Sequence, residues 1–179
     1  MGMIDALAAD GPAEGHGDRL RLFGRFVGSW ELDRTAYSPV GEVVSIHRGE
    51  WHFGWVLGGR AIQDVWICPA RGLPAPALVA GAEVDWPGEW GTVVRFPDPG
   101  LDAWRVTWHG PRTGAVTSFV ARAVGDEIVQ TATDAPVRWV FSEIEPPDAP
   151  TRFRWRADVS DDDGATWRTE IEMRVHRTT

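Results

Sequence analysis

From Gly28 to its end, the chain alternates between short segments rich in Val, Ile, Trp, Thr and Phe and short runs of turn residues. Turn sequences such as SPVGE, LGG, DPGLD and GPRTG separate these segments at the spacing of β-hairpins. The pattern predicts ten antiparallel strands, over residues 29–37, 42–56, 59–68, 90–97, 102–109, 115–123, 126–133, 137–145, 151–159 and 166–177. Because closure removes the free edges of such a sheet, we expect an all-β fold with a single up-and-down barrel of about ten strands.

The N-terminal part of the chain has a different pattern. Residues 1–17 are rich in Gly, Ala and acidic residues, which predicts a flexible tail. The next segment has apolar residues at helical spacing and Asp18 as an N-cap, so we expect a short helix over about 18–26, ended by Gly28. Residues 18–179 then form one barrel domain. A longer loop joins the third and fourth strands.

Composition narrows the classes of partner. The chain has 179 residues, a net charge of -8, 18 Arg and no Lys. An acidic surface opposes binding to nucleic acid and to anionic membranes, so we expect neither. The apolar runs are far shorter than the ~20 residues of a membrane helix. Cys68 is the single cysteine and has no partner for an internal disulfide, which is typical of a cytoplasmic protein.

Eleven tryptophans are the unusual feature of the composition. Side chains alternate between the two faces of a strand, and this alternation collects the aromatic residues on one face, which we call the Trp face. Its members are Trp51, Phe53, Trp55, Trp66, Trp90, Val94, Phe96, Trp104, Trp108, Trp139, Phe141 and Trp155. His52 and His109 fall on the opposite face. Since large apolar side chains are buried, we expect the Trp face to line the interior.

Four charged residues share the Trp face by the same alternation: Arg34, Arg60, Asp64 and Glu143. A buried charge is costly unless it is paired. The four residues are therefore interpreted in three ways: as a structural ion-pair network, as groups that orient a ligand, or as residues turned outward by a bulge. Gly49, Gly54, Gly58 and Gly59 favour bulges in this region, and Gly58-Gly59 is predicted to be a hairpin turn.

The sequence Gly28-Ser29-Trp30, after the predicted helix, resembles the G-x-W signature of the calycin superfamily, which includes lipocalins and fatty-acid-binding proteins. The resemblance implies that a short helix precedes the motif and that its Trp packs at the closed end of the barrel. It also implies that an Arg near the end of the last strand packs across this Trp, and the alternation favours Arg177 over Arg174. The segments GSW, GEWHFGWVLGGRAIQDVW, DAWRVTWHGP and DDGATW are similar to bacterial lipocalin-like proteins of unknown function. This likeness implies a fold and no particular reaction.

The sequence offers few groups for metal binding or catalysis. The histidines lack zinc-site spacing, and no nucleophile elbow or phosphate-binding loop is present, so we expect no metal and no cofactor. Nitrobindin-type haem barrels are similar in strand number, but His176 falls on the charged face here. An acid–base site of Asp64 with His52 or His109 would permit isomerase, cyclase or hydratase chemistry, although both histidines fall opposite the Trp face.

We therefore predict a protein that binds a small hydrophobic or aromatic molecule inside the barrel. An enzyme using Asp64, a haem barrel and a barrel filled by its own indoles stay open as alternatives. A homodimer is possible on this sequence. The predicted ligand-binding residues are Trp51, Phe53, Trp55, Arg60, Asp64, Trp66, Trp104, Trp108, Trp139, Glu143 and Trp155.

Overall fold

The computed structural model describes residues 2–73 and 88–178. Its elements are α1 (Met3–Leu7), β1 (Ala8–Ala9), α2 (Gly17–Gly24), β2 (Gly28–Tyr37), β3 (Val43–Val56), β4 (Ala61–Cys68), β5 (Glu89–Asp98), β6 (Ala103–Gly110), β7 (Ala115–Val124), β8 (Glu127–Ala132), β9 (Val137–Glu145), β10 (Arg152–Val159) and β11 (Arg168–Arg177). Strands β2 to β11 correspond to the ten predicted segments. Most of the predicted long loop between β4 and β5 lies outside the described residues. No helix in the described part of the chain is long and apolar enough to cross a membrane.

The ten long strands form a closed antiparallel barrel. Each pairs with its neighbours in sequence, and the pairing of β11 with β2 completes the ring, with Arg177 opposite Trp30. Leu57, Gly58 and Gly59 turn between β3 and β4 with positive φ angles, so the predicted Gly58-Gly59 hairpin turn is confirmed. The all-β barrel predicted from the turn spacing is therefore confirmed.

Helix α2 covers one end of the barrel. Its buried residues Leu20 and Phe23, with Phe26 just beyond it, are fully excluded from solvent and pack into the interior. The helix begins at Gly17 with His16 as N-cap, so Asp18 lies in the first turn rather than at the cap. The predicted helix is confirmed, with this difference at its start.

The contact between Trp30 and Arg177 fixes the same end. The guanidinium carbon of Arg177 lies 4.2 Å from the centroid of the Trp30 ring. Its Nη1 donates to the Val27 carbonyl at 2.9 Å, and its Nη2 donates to the Arg25 carbonyl at 3.1 Å. The Trp30 indole donates to the Phe26 carbonyl at 2.8 Å. The last strand is therefore tied to the chain between α2 and β2, and the predicted packing of Arg177 across Trp30 is confirmed.

The first residues pack on the outside of this end. Strand β2 begins opposite Phe53, which leaves the last residues of β3 unpaired on that edge, and β1 pairs there with Trp55 and Val56. The Ala13 N–H also donates to the Gly59 carbonyl at 2.8 Å. The segment predicted as a flexible tail thus contains a short helix and a two-residue strand. Its flexibility stays a prediction.

Strand β5 presents the face opposite to the one that alternation predicted. Trp90 is 58% exposed and Phe96 is 44% exposed, whereas Val93 and Arg95 are buried. The reason lies next to Gly91, because a Cβ atom at this position would overlap the Trp108 ring. The glycine therefore faces the interior beside that indole, and Trp90 and Phe96 face outward.

Candidate functional site

A cavity of about 210 Å³ lies inside the barrel, on the side away from α2. The same strands contribute different residues to the two ends of the interior. On β2, Trp30 packs near the helix and Arg34, farther along the strand, lines the cavity. On β10, Phe153 packs near the helix and Trp155, farther along the strand, lines the cavity. The cavity is lined by Trp51, Trp66, Trp108, Trp139 and Trp155, with Arg34, Val93, Ile171 and Met173. We call this part of the interior the cavity half and the part under α2 the closed half.

Four edge-to-face contacts link the five indoles of the cavity half in a series. Neighbouring ring centroids are 6.1 Å apart for Trp66–Trp108, 5.9 Å for Trp108–Trp139, 5.3 Å for Trp139–Trp155 and 6.2 Å for Trp155–Trp51. Trp51 and Trp66, at the two ends of this series, are direct partners across β3 and β4. Such contacts add about 0.5–1.5 kcal/mol per aromatic pair beyond area burial. The walls of the cavity are therefore held in place by one another.

Burial favours the neutral forms of the two ionisable groups beside Arg34, His47 and Cys68. Arg34 is a cavity-lining residue, and it pairs across the strands with buried His47. Burial, and then the charge of Arg34, lowers the pKa of His47. Burial raises the pKa of the Cys68 thiol to about 12. Arg34 is thus the one charged side chain among the described residues that line the cavity.

One donor in the wall is unpaired. The Nε1 of Trp155 is buried and has no hydrogen-bond partner in the described residues. An unpaired buried polar group costs about 1–3 kcal/mol. The burial of this donor is therefore a cost that no hydrogen bond within the described residues offsets.

The closed half is filled, and it holds a buried ion pair. Arg95 donates through Nη1 to Asp64, and both side chains are completely buried. The Arg95 guanidinium lies 5.1 Å from the Phe23 ring centroid and 5.5 Å from that of Phe53. Burial raises the pKa of Asp64, and the charge and hydrogen bond of Arg95 oppose this effect. The ion pair therefore lies between aromatic rings and not in the cavity wall.

Two of the charged residues predicted to face inward do not. Arg60 is exposed in the turn before β4, where its guanidinium reaches the Gly58 carbonyl, so the strand alternation does not extend to it. Glu143 is exposed because a bulge displaces the β9–β10 register around it, and its φ angle is 50°. Arg154 contacts Glu143 on the outer wall at 3.3 Å. The inward placement of Arg60 and Glu143 was wrong, and both lie outside the cavity.

The other predicted site residues divide between the two halves. Trp51, Trp66, Trp108, Trp139 and Trp155 meet at the cavity. Phe53, Asp64 and Trp104 are buried in the closed half, and Trp55 packs against Gly24 of α2. Whether any of them binds a ligand stays a prediction.

The sequence interpretation missed several residues. Val93, Ile171 and Met173 line the cavity but were not predicted as ligand-binding. Arg95 was assigned to no site because the apolar residues beside it suggested the opposite face. The sequence pointed to Arg95 only indirectly, because a buried Asp64 requires a cation nearby. Arg95 lies on the strand adjacent to that of Asp64, directly opposite Ile62.

The histidines weighed for catalysis or haem ligation lie away from the cavity. His109 and His176 are exposed, and His52 lies half-buried on the outer wall. This agrees with the faces predicted for them. No cluster of three potential metal-ligating side chains occurs within residues 2–73 and 88–178.

No protein-family model matches this chain, and neither does any curated protein. The fold and the cavity are therefore the basis on which a function is proposed.

Proposed function

We propose that the protein binds one small aromatic molecule in the cavity half of the barrel. The observation that carries the proposal is a cavity bounded by five indoles in a barrel whose other half is filled. Flat aromatic walls favour a flat apolar ligand, because edge-to-face and stacked contacts add to the burial of apolar area.

The volume limits the ligand. At about 210 Å³, the cavity exceeds the roughly 150 Å³ that accommodates benzene in an engineered core. It is below the 300–1,000 Å³ of typical drug-sized sites. We therefore propose a single substituted aromatic ring and not a long fatty chain or a haem.

The polar groups of the wall suggest where a substituent would lie. A polar substituent would lie beside Arg34, the one described residue of the wall that carries a charge. None of the described residues that line the cavity carries a carboxylate, and Asp64 is engaged with Arg95 in the closed half. This arrangement supports binding over acid–base chemistry on the ligand.

We also propose that the chain is a divergent calycin-type barrel. The support is the Gly28-Ser29-Trp30 motif together with the packing of Arg177 across Trp30 at the end covered by α2.

A reducing compartment is proposed on the single cysteine, Cys68.

The proposal is tested by titrating the purified protein with toluene and phenol while its Trp fluorescence and thermal midpoint are recorded. Ile171→Trp places a large ring in the cavity wall and is expected to weaken binding at least tenfold. Val116→Trp is the matched control, because Val116 is 62% exposed on the outer wall and adds the same fluorophore. If neither probe perturbs the wild type, or if Ile171→Trp binds as well as Val116→Trp, the proposal is wrong.

A further inference from the structure

Three side chains form a hydrogen-bonded row on the outer wall of the barrel. Ser29 and His52 are direct partners across β2 and β3, and Glu50 lies two residues before His52, on the same face. The His52 Nδ1 lies 2.9 Å from the Ser29 Oγ, and its Nε2 lies 3.0 Å from the Glu50 Oε2. A hydroxyl, an imidazole and a carboxylate therefore follow one another in the order that activates a nucleophile.

Arg71 fixes the carboxylate of this row. Its backbone N–H donates to the Glu50 Oε1 at 2.6 Å, and its Nη2 donates to the Oε2 at 2.6 Å. These hydrogen bonds lower the pKa of Glu50 to about 2. Glu50 is therefore ionised at neutral pH, and its oxygens only accept hydrogen bonds.

The ionised carboxylate decides the tautomer of His52. Because Glu50 only accepts, the Nε2 that faces it carries the ring proton, which leaves a lone pair on Nδ1 for the Ser29 hydroxyl. The Arg71 Nη2 lies farther from Nε2, at 3.4 Å. Ser29 thus donates its proton toward the atom that would accept it in a nucleophilic attack.

A groove beside the row leaves room for a substrate. It has a volume of about 430 Å³, and its walls include Glu50, His52, Arg71 and Thr178. Ser29 is exposed, and the Thr178 N–H and hydroxyl both donate to its carbonyl at 3.0 Å. The backbone of Ser29 is therefore fixed next to the groove, whose walls include its sequence neighbour Trp30 and its side-chain partner His52.

We propose that Ser29, His52 and Glu50 form an acyl-transfer site that hydrolyses small activated esters. The Ser29 Oγ bonds to the ester carbonyl carbon while its proton passes to the His52 Nδ1. Collapse of the tetrahedral intermediate breaks the bond to the leaving oxygen, which takes that proton. Water then attacks the carbonyl carbon of the acyl-Ser29 ester and gives a proton to the His52 Nδ1. Collapse of this second intermediate breaks the bond between the acyl carbon and the Ser29 Oγ, which takes the proton back from His52 as the acid leaves. General-base catalysis contributes about 10²–10⁴-fold, so the substrate class is limited to esters with a good leaving group.

The test is the hydrolysis of 4-nitrophenyl acetate by the full chain, with labelling by a fluorophosphonate followed by peptide mass spectrometry. Ser29→Ala and His52→Gln are each expected to lower kcat/KM about 100-fold, toward the rate without protein. The fluorophosphonate is expected on Ser29, and His52→Gln is expected to abolish this adduct. Glu50→Gln is expected to give a smaller loss, because the carboxylate orients His52 without touching the substrate.

Matched controls separate this site from ordinary surface reactivity. Ser118 and His109 are exposed on outer strand positions, so Ser118→Ala and His109→Gln should leave the rate unchanged. Imidazole alone can accept an acetyl group, and full activity in Ser29→Ala would therefore overturn the proposal. An adduct on any residue other than Ser29 would overturn it as well. Circular dichroism of each variant shows whether a loss of activity comes from unfolding. If Ser29→Ala unfolds, Ser29→Thr, which keeps a hydroxyl, takes its place. A fluorophosphonate adduct at position 29 of this variant supports the site, and the absence of an adduct contradicts it.

Discussion

The two halves of the barrel interior are built from different residues. Under α2, phenylalanines pack around one buried ion pair, with the rings of Phe26 and Phe153 4.9 Å apart. In the other half, five indoles stand in a ring around a cavity of about 210 Å³. In the closed half, phenylalanines from the strands interdigitate with those near the helix and fill the interior. In the cavity half, indoles held edge to face along the barrel wall do not reach the centre of the barrel. The difference indicates that packing stability is concentrated in the closed half, whereas the cavity half leaves the space in which the proposed ligand would bind.

The ion pair of the closed half gives the largest expected effect. Arg95→Met leaves Asp64 as a buried charge without its partner, and about 3–5 kcal/mol of unfolding free energy should be lost. Urea unfolding monitored by circular dichroism measures this loss. The double variant Asp64→Leu with Arg95→Met removes both charges and should recover most of it. If the double variant is no more stable than the single one, the pair is not the cause.

Truncation should affect the halves unequally. Phe26→Ala removes a fully buried ring from the closed half and is expected to cost about 3–4 kcal/mol. Trp139→Phe removes part of a half-buried ring beside an existing cavity and should cost only about 1 kcal/mol. Both are compared by chemical denaturation at one pH. Equal losses would contradict the division of the interior into a packed closed half and a loosely filled cavity half.

Gly91 tests how tightly the cavity wall is set. A Cβ atom there would overlap the Trp108 ring, so Gly91→Ala should cost about 1–3 kcal/mol and reduce binding of aromatic probes. Gly54→Ala, on β3 with no atom within 4 Å of the added Cβ and without a positive φ, is the control for stability. An unchanged thermal midpoint in Gly91→Ala would show that Trp108 moves freely.

A pH-dependent effect is expected outside both halves, at Glu50. Its pKa in the folded protein, about 2, is below the ordinary value of 4.5, so the ionised form stabilises the fold above about pH 4.5. That contribution is lost as the pH falls from about 4.5 to 2. Because Arg71 is largely exposed, we expect about 1–2 kcal/mol. Glu50→Gln should therefore be less stable than the wild type at pH 7 and equal to it near pH 2, as measured by urea unfolding at each pH.

Turn residues and hairpin spacing were enough to predict the ten strands and the barrel, and apolar residues at helical spacing were enough to predict the helix that precedes Trp30. The resemblance carried by Gly28-Ser29-Trp30 was enough to predict the packing of Arg177. The same information placed five tryptophans of the cavity on the interior face. These features depend on local backbone preferences and on the two-residue period of side chains in a strand, and the sequence alone determines both.

The tertiary structure alone decided the phase of that period at each strand. A bulge turned Glu143 outward, a hairpin turn took Arg60 out of β4, and the Trp108 ring against Gly91 set the face of β5. Since one residue of shift exchanges the two faces, each of these contacts moved charges into or out of the interior. Arg95 forms an ion pair with Asp64, and His52 lies within hydrogen-bond distance of Ser29, because the strand register of the closed barrel brings these residues together.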